Sequence, residues 1–180
     1  MHNLSTQEVV LSIENTPLVN MNGLVYQEYD NFFGKDIEIN FDKADSFVKL
    51  ENQTHLNRLK LSDTDLNLKK LKILFMNSKI TNALNKKFNT ELKFDSLDVW
   101  IDGKGYVLKP HVDDKRVKLH LQIYLNDNSV GTSLYNEGKK IYTFDFKKNK
   151  GYALLNNKDS VHGVEPVEND GRMSLYVRYA

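Results

Sequence analysis

KLHLQIYL, at residues 118–125, alternates apolar and polar side chains. Successive side chains of a β-strand point to opposite faces of a sheet, so this alternation is typical of a strand with one face on a core. Leu119, Leu121 and Ile123 form the apolar face of the predicted strand. The other face carries polar side chains, which are His120, Gln122 and Tyr124.

The C-terminal segment RMSLYVRYA, residues 172–180, follows the same pattern. Its apolar face consists of Met173, Leu175 and Val177. We expect both strands to pack their apolar faces on one core and to line a cavity with their polar faces. The polar face of this second strand consists of Arg172, Ser174, Tyr176 and Arg178.

Short β-favouring segments fill the whole C-terminal half, and Gly, Asn and Asp separate them. Eight such strands with turn signals between them indicate a sandwich or jelly roll, and the lack of alternating helices argues against a parallel α/β sheet. Besides the two strands above, the segments are LDVWI (97–101), YVLKP (106–110), TSLY (132–135), IYTFDF (141–146), YALL (152–155) and HGVEPV (162–167).

The N-terminal half has a different character. Between Thr64 and Phe88 the apolar residues recur mostly at steps of three and four, which predicts one or two amphipathic helices. Asp63 or Thr64 is the expected N-cap, and the helices are the natural cover for the apolar strand faces. Two earlier apolar segments, VVLSI (9–13) and IEINF (37–41), are interpreted as peripheral strands.

These patterns predict a single domain over residues 1–180 of mainly β, α+β class. Peripheral strands and supporting helices occupy residues 1–93, the β core occupies residues 94–180, and the helices pack on one sheet. At 180 residues the chain is long enough to bury a core without disulfides.

Composition excludes several classes of site and partner. The chain has no cysteine, which excludes disulfides, iron–sulfur ligation and a thiolate nucleophile, and leaves His, Asp and Glu as metal ligands. Lys and Arg number 25 against 24 Asp and Glu, so no net field favours nucleic acid or an anionic membrane. The start of the sequence lacks a signal peptide and no run is long enough to span a membrane, so we expect a soluble, cytoplasmic protein.

Three residues could bind a metal ion together. His111 and Asp113 lie two residues apart, so an extended chain places both side chains on one face. His162 is the only other histidine of the last sixty residues. Two histidines and one carboxylate on one face leave the remaining positions of an octahedral ion open, which is the arrangement of non-haem Fe(II) oxygenases. His120 competes for the ligand role, but its place deeper in a strand favours a cavity-lining residue.

An arginine follows the last of these candidate ligands by ten residues. The planar fork of Arg172 can hold a carboxylate through two hydrogen bonds, as a dicarboxylate co-substrate with one end on the metal requires. Arg178, on the same strand face, is either an anchor for a polar or anionic substrate or a solvated charge at the strand end.

Together these segments resemble the 2-oxoglutarate/Fe(II)-dependent dioxygenase superfamily, and most closely its prolyl-hydroxylase-like branch. The resemblance covers about residues 97–180, and the stretch HVDDKRVKL followed by GTSLY is also similar to compact prokaryotic and phage members. The segments that carry it are His111-Val112-Asp113, Tyr124-Leu125-Asn126, Gly131-Thr132, His162-Gly163-Val164 with Pro166, and Arg172-x-Ser174.

The resemblance implies a double-stranded β-helix, which is a cupin-like jelly roll. It implies Fe(II) on His111, Asp113 and His162, with 2-oxoglutarate and dioxygen as co-substrates. Arg172 and Tyr124 would bind the distal carboxylate of 2-oxoglutarate. Ser174 would lie beside Arg172, and strand alternation adds Gln122 to the same group. Trp100, Tyr106, His120 and Arg178 are candidate substrate residues.

Three functions remain open at this point. The first is a hydroxylase of a prolyl or other peptidyl residue, and the second is a hydroxylase of a small metabolite, sugar or nucleotide. A peptide enzyme should have a long open groove beside the iron, whereas a metabolite enzyme should have a closed pocket with polar anchors such as Arg178 or Gln122. The third is a catalytically silent β-helix domain used for binding.

Overall fold

A computed structural model describes residues 4–34, 47–49 and 57–180 of the chain. These residues form three helices, namely α1 (Thr6–Asn15), α2 (Leu66–Phe75) and α3 (Ser78–Phe88). They also form twelve strands, namely β1 (Val19–Met21), β2 (Leu24–Tyr29), β3 (Phe47–Val48), β4 (Arg58–Leu61), β5 (Phe94–Asp102), β6 (Leu108–His111), β7 (Leu119–Tyr124), β8 (Thr132–Asn136), β9 (Lys139–Thr143), β10 (Gly151–Leu155), β11 (His162–Val164) and β12 (Arg172–Tyr179).

The strands form two antiparallel sheets. The larger sheet has the order β1-β2-β10-β7-β12-β5-β4-β3, and the smaller has the order β6-β11-β8-β9. Neighbours in the larger sheet are mostly distant in sequence, as a jelly roll requires. All eight strands predicted for the C-terminal half are present as β5 to β12.

Strand alternation decides what lies on each side of the larger sheet. Leu121 and Ile123 of β7 and Leu175 and Val177 of β12 are fully buried in one apolar cluster with α2 and α3. Residues of the opposite face, such as Tyr124, pack instead in a second cluster against the smaller sheet. The larger sheet is therefore covered by helices on one side and by the smaller sheet on the other, as the sequence predicted.

Two helices occupy the region predicted to be helical, but the cap differs from the expected one. The Asp65 carboxylate accepts hydrogen bonds from the backbone N–H groups of Asn67 and Leu68 and so begins α2. Asp63 and Thr64 lie before that turn, and Asp63 contacts the ammonium of Lys72 instead. The predicted cap at Asp63 or Thr64 was therefore wrong by one or two residues.

The segment VVLSI is a helix and not a strand. It lies within α1, where Val9 and Ile13 are fully buried one helical turn apart. The Ser5 hydroxyl caps this helix by accepting from the backbone N–H of Glu8. A short apolar run fits either structure, and the cap together with packing on α3 selects the helix here. The predicted strand IEINF lies outside the described residues.

No helix among the described residues is long and apolar enough to cross a membrane.

Candidate metal centre

Pairing of β11 with β6 brings two histidines together. His162 lies directly opposite His111 in this antiparallel pair, and the two imidazole rings are 4.6 Å apart between centroids. Gly163 follows His162, and a Cβ atom at this position would lie 2.7 Å from the carbonyl oxygen of Leu108 in β6. The absence of a side chain at Gly163 therefore allows the two histidine-bearing strands to approach closely.

The backbone fixes the orientation and tautomer of both rings. Nδ1 of His111 lies 2.9 Å from the carbonyl oxygen of Lys109, and Nδ1 of His162 lies 2.9 Å from that of Ser160. A carbonyl oxygen only accepts, so each Nδ1 donates and carries the proton of the neutral ring. Each Nε2 is then left with a free lone pair, which is what a metal ion needs.

The two carboxylate oxygens of Asp113 have different surroundings, and only Oδ2 is engaged by close contacts. Its Oδ2 accepts a hydrogen bond of 2.8 Å from the hydroxyl of Tyr176 and lies 2.7 Å from Nδ1 of His120. Its Oδ1 faces Nε2 of His111 at 3.6 Å and Nε2 of His162 at 3.8 Å. These last separations are too long for hydrogen bonds. Three potential ligand atoms thus face one another without bonding to one another.

Burial and neighbouring charges shift the pKa of all three groups, and the shifts of Asp113 and His162 favour the protonation states that suit a metal ligand. Burial raises the pKa of the Asp113 carboxyl, but contacts with His111 and His120 outweigh it and hold the pKa well below its usual range. Burial, and then the proximity of His120, lower the pKa of His162 to about 3. The contact with Asp113 raises the pKa of His111 against the effect of burial. At neutral pH Asp113 is therefore ionised and His162 is neutral.

His111, Asp113 and His162 fit a divalent metal ion. Their ligand atoms all lie within 4.8 Å of one another. The ring orientations come from the carbonyl groups of Lys109 and Ser160, and the carboxylate orientation comes from Tyr176 on β12. Such outer contacts are the usual support of a metal ligand.

Arg172 is fully buried and lies behind the wall of the cavity beside this triad. Its Nη1 forms an ion pair with Asp102, its Nε donates to the carbonyl oxygen of Val130, and its Nη2 lies 3.4 Å from the hydroxyl of Thr132. Tyr124 is also fully buried, and its hydroxyl accepts from the backbone N–H of Thr132. Arg172 and Tyr124 therefore both reach Thr132, which itself lines the cavity.

Gln122 organises the floor of the cavity. Its Oε1 accepts from the hydroxyls of Thr132 at 3.0 Å and Tyr152 at 2.8 Å, and its Nε2 donates to Ser174 at 3.0 Å. Both the oxygen and the nitrogen of the buried amide are engaged, so its orientation is fixed. Ser174 is fully buried and contacts Gln122 rather than Arg172.

The cavity has a volume of about 460 Å³ and includes all three candidate ligands. Of the predicted substrate residues, Arg178 and Trp100 line it. Tyr106 is buried against the guanidinium of Arg58 at 4.6 Å, outside the lining. His120 is buried behind Asp113 and supports the carboxylate instead of lining the cavity.

Several residues of the site were missed by sequence reasoning. Arg58 and Lys60 of β4 and Asp98 of β5 line the cavity, and Asp102 lies behind it. Alternation in FDSLDVWID places Asp98, Trp100 and Asp102 on one strand face, and this signal was available in the sequence. β4 gives no such signal, because it is short and pairs with a strand far from it in sequence.

Comparison with known proteins gives a fold and no close relative. No protein-family model matches the sequence. No curated protein matches it either. Solved structures match well, with identities below 25%.

One is a prolyl 4-hydroxylase from Phytophthora capsici, with a TM-score of 0.61, 14% identity, and coverage of 99% of this chain and 66% of that one. Another is a prolyl hydroxylase from Trichoplax adhaerens in complex with a peptide fragment of hypoxia inducible factor, with a TM-score of 0.59, 13% identity, and coverage of 97% and 88%. A third is an oxidoreductase of the 2OG-Fe(II) oxygenase family from Burkholderia pseudomallei, with a TM-score of 0.55, 13% identity, and coverage of 93% and 74%.

The chain therefore has the fold of the 2-oxoglutarate/Fe(II) oxygenases, a double-stranded β-helix. This confirms the fold that the sequence motifs predicted. At such identities the likeness concerns the fold, and the assignment of chemistry depends on the residues of the site.

Proposed function

We propose that this chain is an Fe(II)- and 2-oxoglutarate-dependent oxygenase, in which His111, Asp113 and His162 hold the iron. The observation that carries the proposal is the set of three ligand atoms within 4.8 Å on the oxygenase fold. With iron and 2-oxoglutarate bound, the site would supply activation of dioxygen, coupling decarboxylation of 2-oxoglutarate to succinate with hydroxylation of a C–H bond. The protein positions both molecules and limits the access of water.

The donor set favours iron over other metals. Two imidazoles and one carboxylate on one side leave open positions, which suits a metal that must bind both a chelating co-substrate and dioxygen. Zinc also takes His and carboxylate ligands, but it has no redox chemistry. The oxygenase fold supports iron with 2-oxoglutarate. So does a second end of the cavity, formed by residues other than the metal triad, which can bind an anion.

That second end is a buried cluster of Arg58, Asp102 and Arg172. The Asp102 carboxylate contacts Arg58 Nε at 2.7 Å and also pairs with Arg172, so two guanidinium groups surround one carboxylate. The excess positive charge can attract the distal carboxylate of 2-oxoglutarate. Arg58 and Thr132 line the cavity at this end, and Arg172 and Tyr124 lie directly behind Thr132.

The substrate classes left open by the sequence are not equally supported. The cavity has Arg178 in its wall, which is one of the two polar anchors expected of an enzyme for a small molecule. The other, Gln122, also lines the cavity, but its amide is already bonded to Thr132, Tyr152 and Ser174. A prolyl or other peptidyl substrate is the alternative, since solved prolyl hydroxylases share the fold. A catalytically silent domain would not need three potential metal ligands that face one another, so the triad argues against this alternative.

The proposal is tested by measuring succinate formed from 2-oxoglutarate in the presence of Fe(II) and air. We expect slow turnover even without a primary substrate, and loss of turnover with a chelator or in Asp113→Ala. Asp114→Ala is the matched control, because Asp114 is exposed and pairs with Arg116. Unchanged turnover in Asp113→Ala, or no turnover in the intact protein, would overturn the proposal.

A further inference from the structure

A second cluster of charges lies in the same cavity, next to the metal end. The Asp98 carboxylate forms ion pairs with two cations, Lys60 Nζ at 2.8 Å and Arg178 Nη2 at 3.2 Å. Asp98 lies opposite Tyr176 in the pairing of β5 with β12, and the Tyr176 hydroxyl donates to Asp113. Tyr176 of β12 therefore lies beside this cluster of Lys60, Asp98 and Arg178 and contacts the candidate ligand Asp113.

This cluster has an excess of positive charge. One carboxylate cannot neutralise both an ammonium and a guanidinium. Among the residues that the structure describes, two further carboxylates lie near, but Asp63 is 3.6 Å from Lys60, 64% exposed and bonded to Lys72, and Asp95 is 3.9 Å from Arg178 and half exposed. Solvent screens such exposed contacts strongly.

Both cations are accessible from the cavity. The side chains of Lys60 and Arg178 are 18% and 37% exposed, and both line the cavity. Burial lowers the pKa of the Lys60 ammonium, but contacts with Asp98 and Asp63 outweigh it and raise the pKa above its ordinary value. Lys60 is therefore charged at neutral pH. The Arg178 guanidinium is further oriented by a hydrogen bond of 2.7 Å from its Nε to the Ser96 hydroxyl.

Two cationic clusters thus contribute side chains to the cavity wall, Arg58 from one and Lys60 and Arg178 from the other. The end at Arg58, Asp102 and Arg172 is assigned above to 2-oxoglutarate. The end at Lys60, Asp98 and Arg178 then has no assigned anion, although it lies in the same cavity of about 460 Å³. Cavities of this size hold small ligands.

We propose that Lys60, Asp98 and Arg178 form a subsite for an oxyanion of the substrate, so that the enzyme oxidises a small molecule bearing a carboxylate or a phosphate group. The inference depends on the proposed oxygenase function. Lys60 and Arg178 bind the oxyanion, and Asp98 holds both cations in place.

Binding of matched pairs of probes tests this inference without requiring turnover. The full chain, loaded with Mn(II) and 2-oxoglutarate, is titrated by calorimetry with adenosine 5′-monophosphate and adenosine, glucose 6-phosphate and glucose, and N-acetylproline and its amide. We expect the charged member of at least one pair to bind about tenfold more tightly or better, as a charge-assisted contact provides. The phosphate and carboxylate pairs identify which oxyanion is bound.

Two substitutions change the excess charge in opposite directions. Lys60→Gln leaves Asp98 paired with Arg178 alone, so the preference for the charged probe should fall about tenfold. Asp98→Asn removes the negative charge that both cations share, while the amide oxygen can still accept hydrogen bonds from them, so the charged probe should bind more tightly than to the original chain. General damage to the fold would weaken binding in both variants. Lys140→Gln, at an exposed residue of β9, removes the same charge away from the cavity and should have no effect.

The inference is overturned if no charged probe binds more tightly than its neutral partner, or if the preference survives in Lys60→Gln. A further pair of probes consists of two proline-containing peptides that differ only by Asp in place of Asn. The inference is also overturned if this pair alone shows the preference, since that outcome indicates a peptide substrate. Succinate formation by the original chain separates the two proposals. If succinate forms without a charge preference, only the subsite is wrong; if no succinate forms, the oxygenase proposal is wrong.

Discussion

At the scale of single residues, the Asp113 carboxylate is supported by groups that are not themselves candidate ligands. The Tyr176 hydroxyl and the His120 ring both contact Oδ2, which leaves Oδ1 directed toward the two histidines. Burial, and then the charge of Asp113, raise the pKa of Tyr176 well above its ordinary value. The phenol therefore keeps its proton and remains a hydrogen-bond donor.

Removing this donor should weaken metal binding. We expect Tyr176→Phe to lower the affinity for Mn(II) by about 10- to 100-fold, the usual cost of losing an outer contact to a ligand. Titration calorimetry measures the change. Tyr135→Phe is a suitable control, because the Tyr135 hydroxyl contacts Glu165 at 3.5 Å and Tyr135 lies outside the cavity lining. Equal affinities in the Tyr176 variant and the original chain would contradict the role assigned to Tyr176.

Acid should destabilise the metal-free protein through His162. Its pKa is about 3 in the folded chain against an ordinary value of 6.5, so between these values the unfolded chain binds a proton that the folded chain does not. Stability is therefore retained above pH 6.5 and is lost as the pH falls toward 3. Thermal unfolding of the metal-free protein is measured at pH 7 and at pH 5. Between these two values the melting temperature of the original chain should fall by more than that of His162→Asn. The same loss in both proteins would show that another group is responsible.

At the scale of the strands, the approach of β11 to β6 determines the distance between the two histidines. A methyl group at Gly163 would meet backbone atoms of Leu108 and Pro110 at 2.7 and 3.1 Å. Backbone cannot move aside as a flexible side chain can, so the strands must separate.

We expect Gly163→Ala to lower the free energy of unfolding by about 1–3 kcal/mol, as overpacking does, and to weaken Mn(II) binding as well. Gly138→Ala is the control, since Gly138 has a positive φ of 74° and a methyl group there would meet nothing within 4 Å. It should lose some stability without losing metal affinity. Unchanged metal affinity in Gly163→Ala would contradict the role of this strand contact.

The strands and helices themselves differ in how well the sequence predicts them. β7 and β12 were predicted together with the residues on each face, because strict alternation over a long strand has one interpretation. The helix α1 was predicted as a strand, because five apolar-rich residues fit both periods. The deciding factors were the Ser5 cap and contact with α3, and the second of these depends on the tertiary fold.

At the scale of the whole molecule, the larger sheet has the main apolar core on one face and the candidate site on the other. Its helix side holds the largest apolar cluster, and its other side carries the polar residues of the cavity. The sequence predicted the metal candidates because His111 and Asp113 lie two residues apart and His162 is the only other histidine of the last sixty residues. It did not predict Arg58 or Lys60 as site residues, since β4 joins β5 only in the folded sheet. Asp98 was missed although the alternation of β5 carried the signal.

The partners of Arg172 show the same limit. The sequence predicted an arginine directed at a carboxylate, and the structure places this side chain against Asp102 and behind Thr132. Asp102 is seventy residues away in the chain, and only the pairing of β5 with β12 brings it opposite Arg172. Long-range pairing of this kind has no local signal.

The central claim is that one cavity holds a metal ion and 2-oxoglutarate together. A crystal structure of the chain grown with Mn(II) and 2-oxoglutarate tests it most directly, because anomalous scattering locates the metal. We predict one metal peak bound by Nε2 of His111, Oδ1 of Asp113 and Nε2 of His162, with the distal carboxylate of 2-oxoglutarate at the end formed by Thr132, Arg58 and Arg172. A structure with no metal at this triad, or with 2-oxoglutarate bound elsewhere, would contradict the claim.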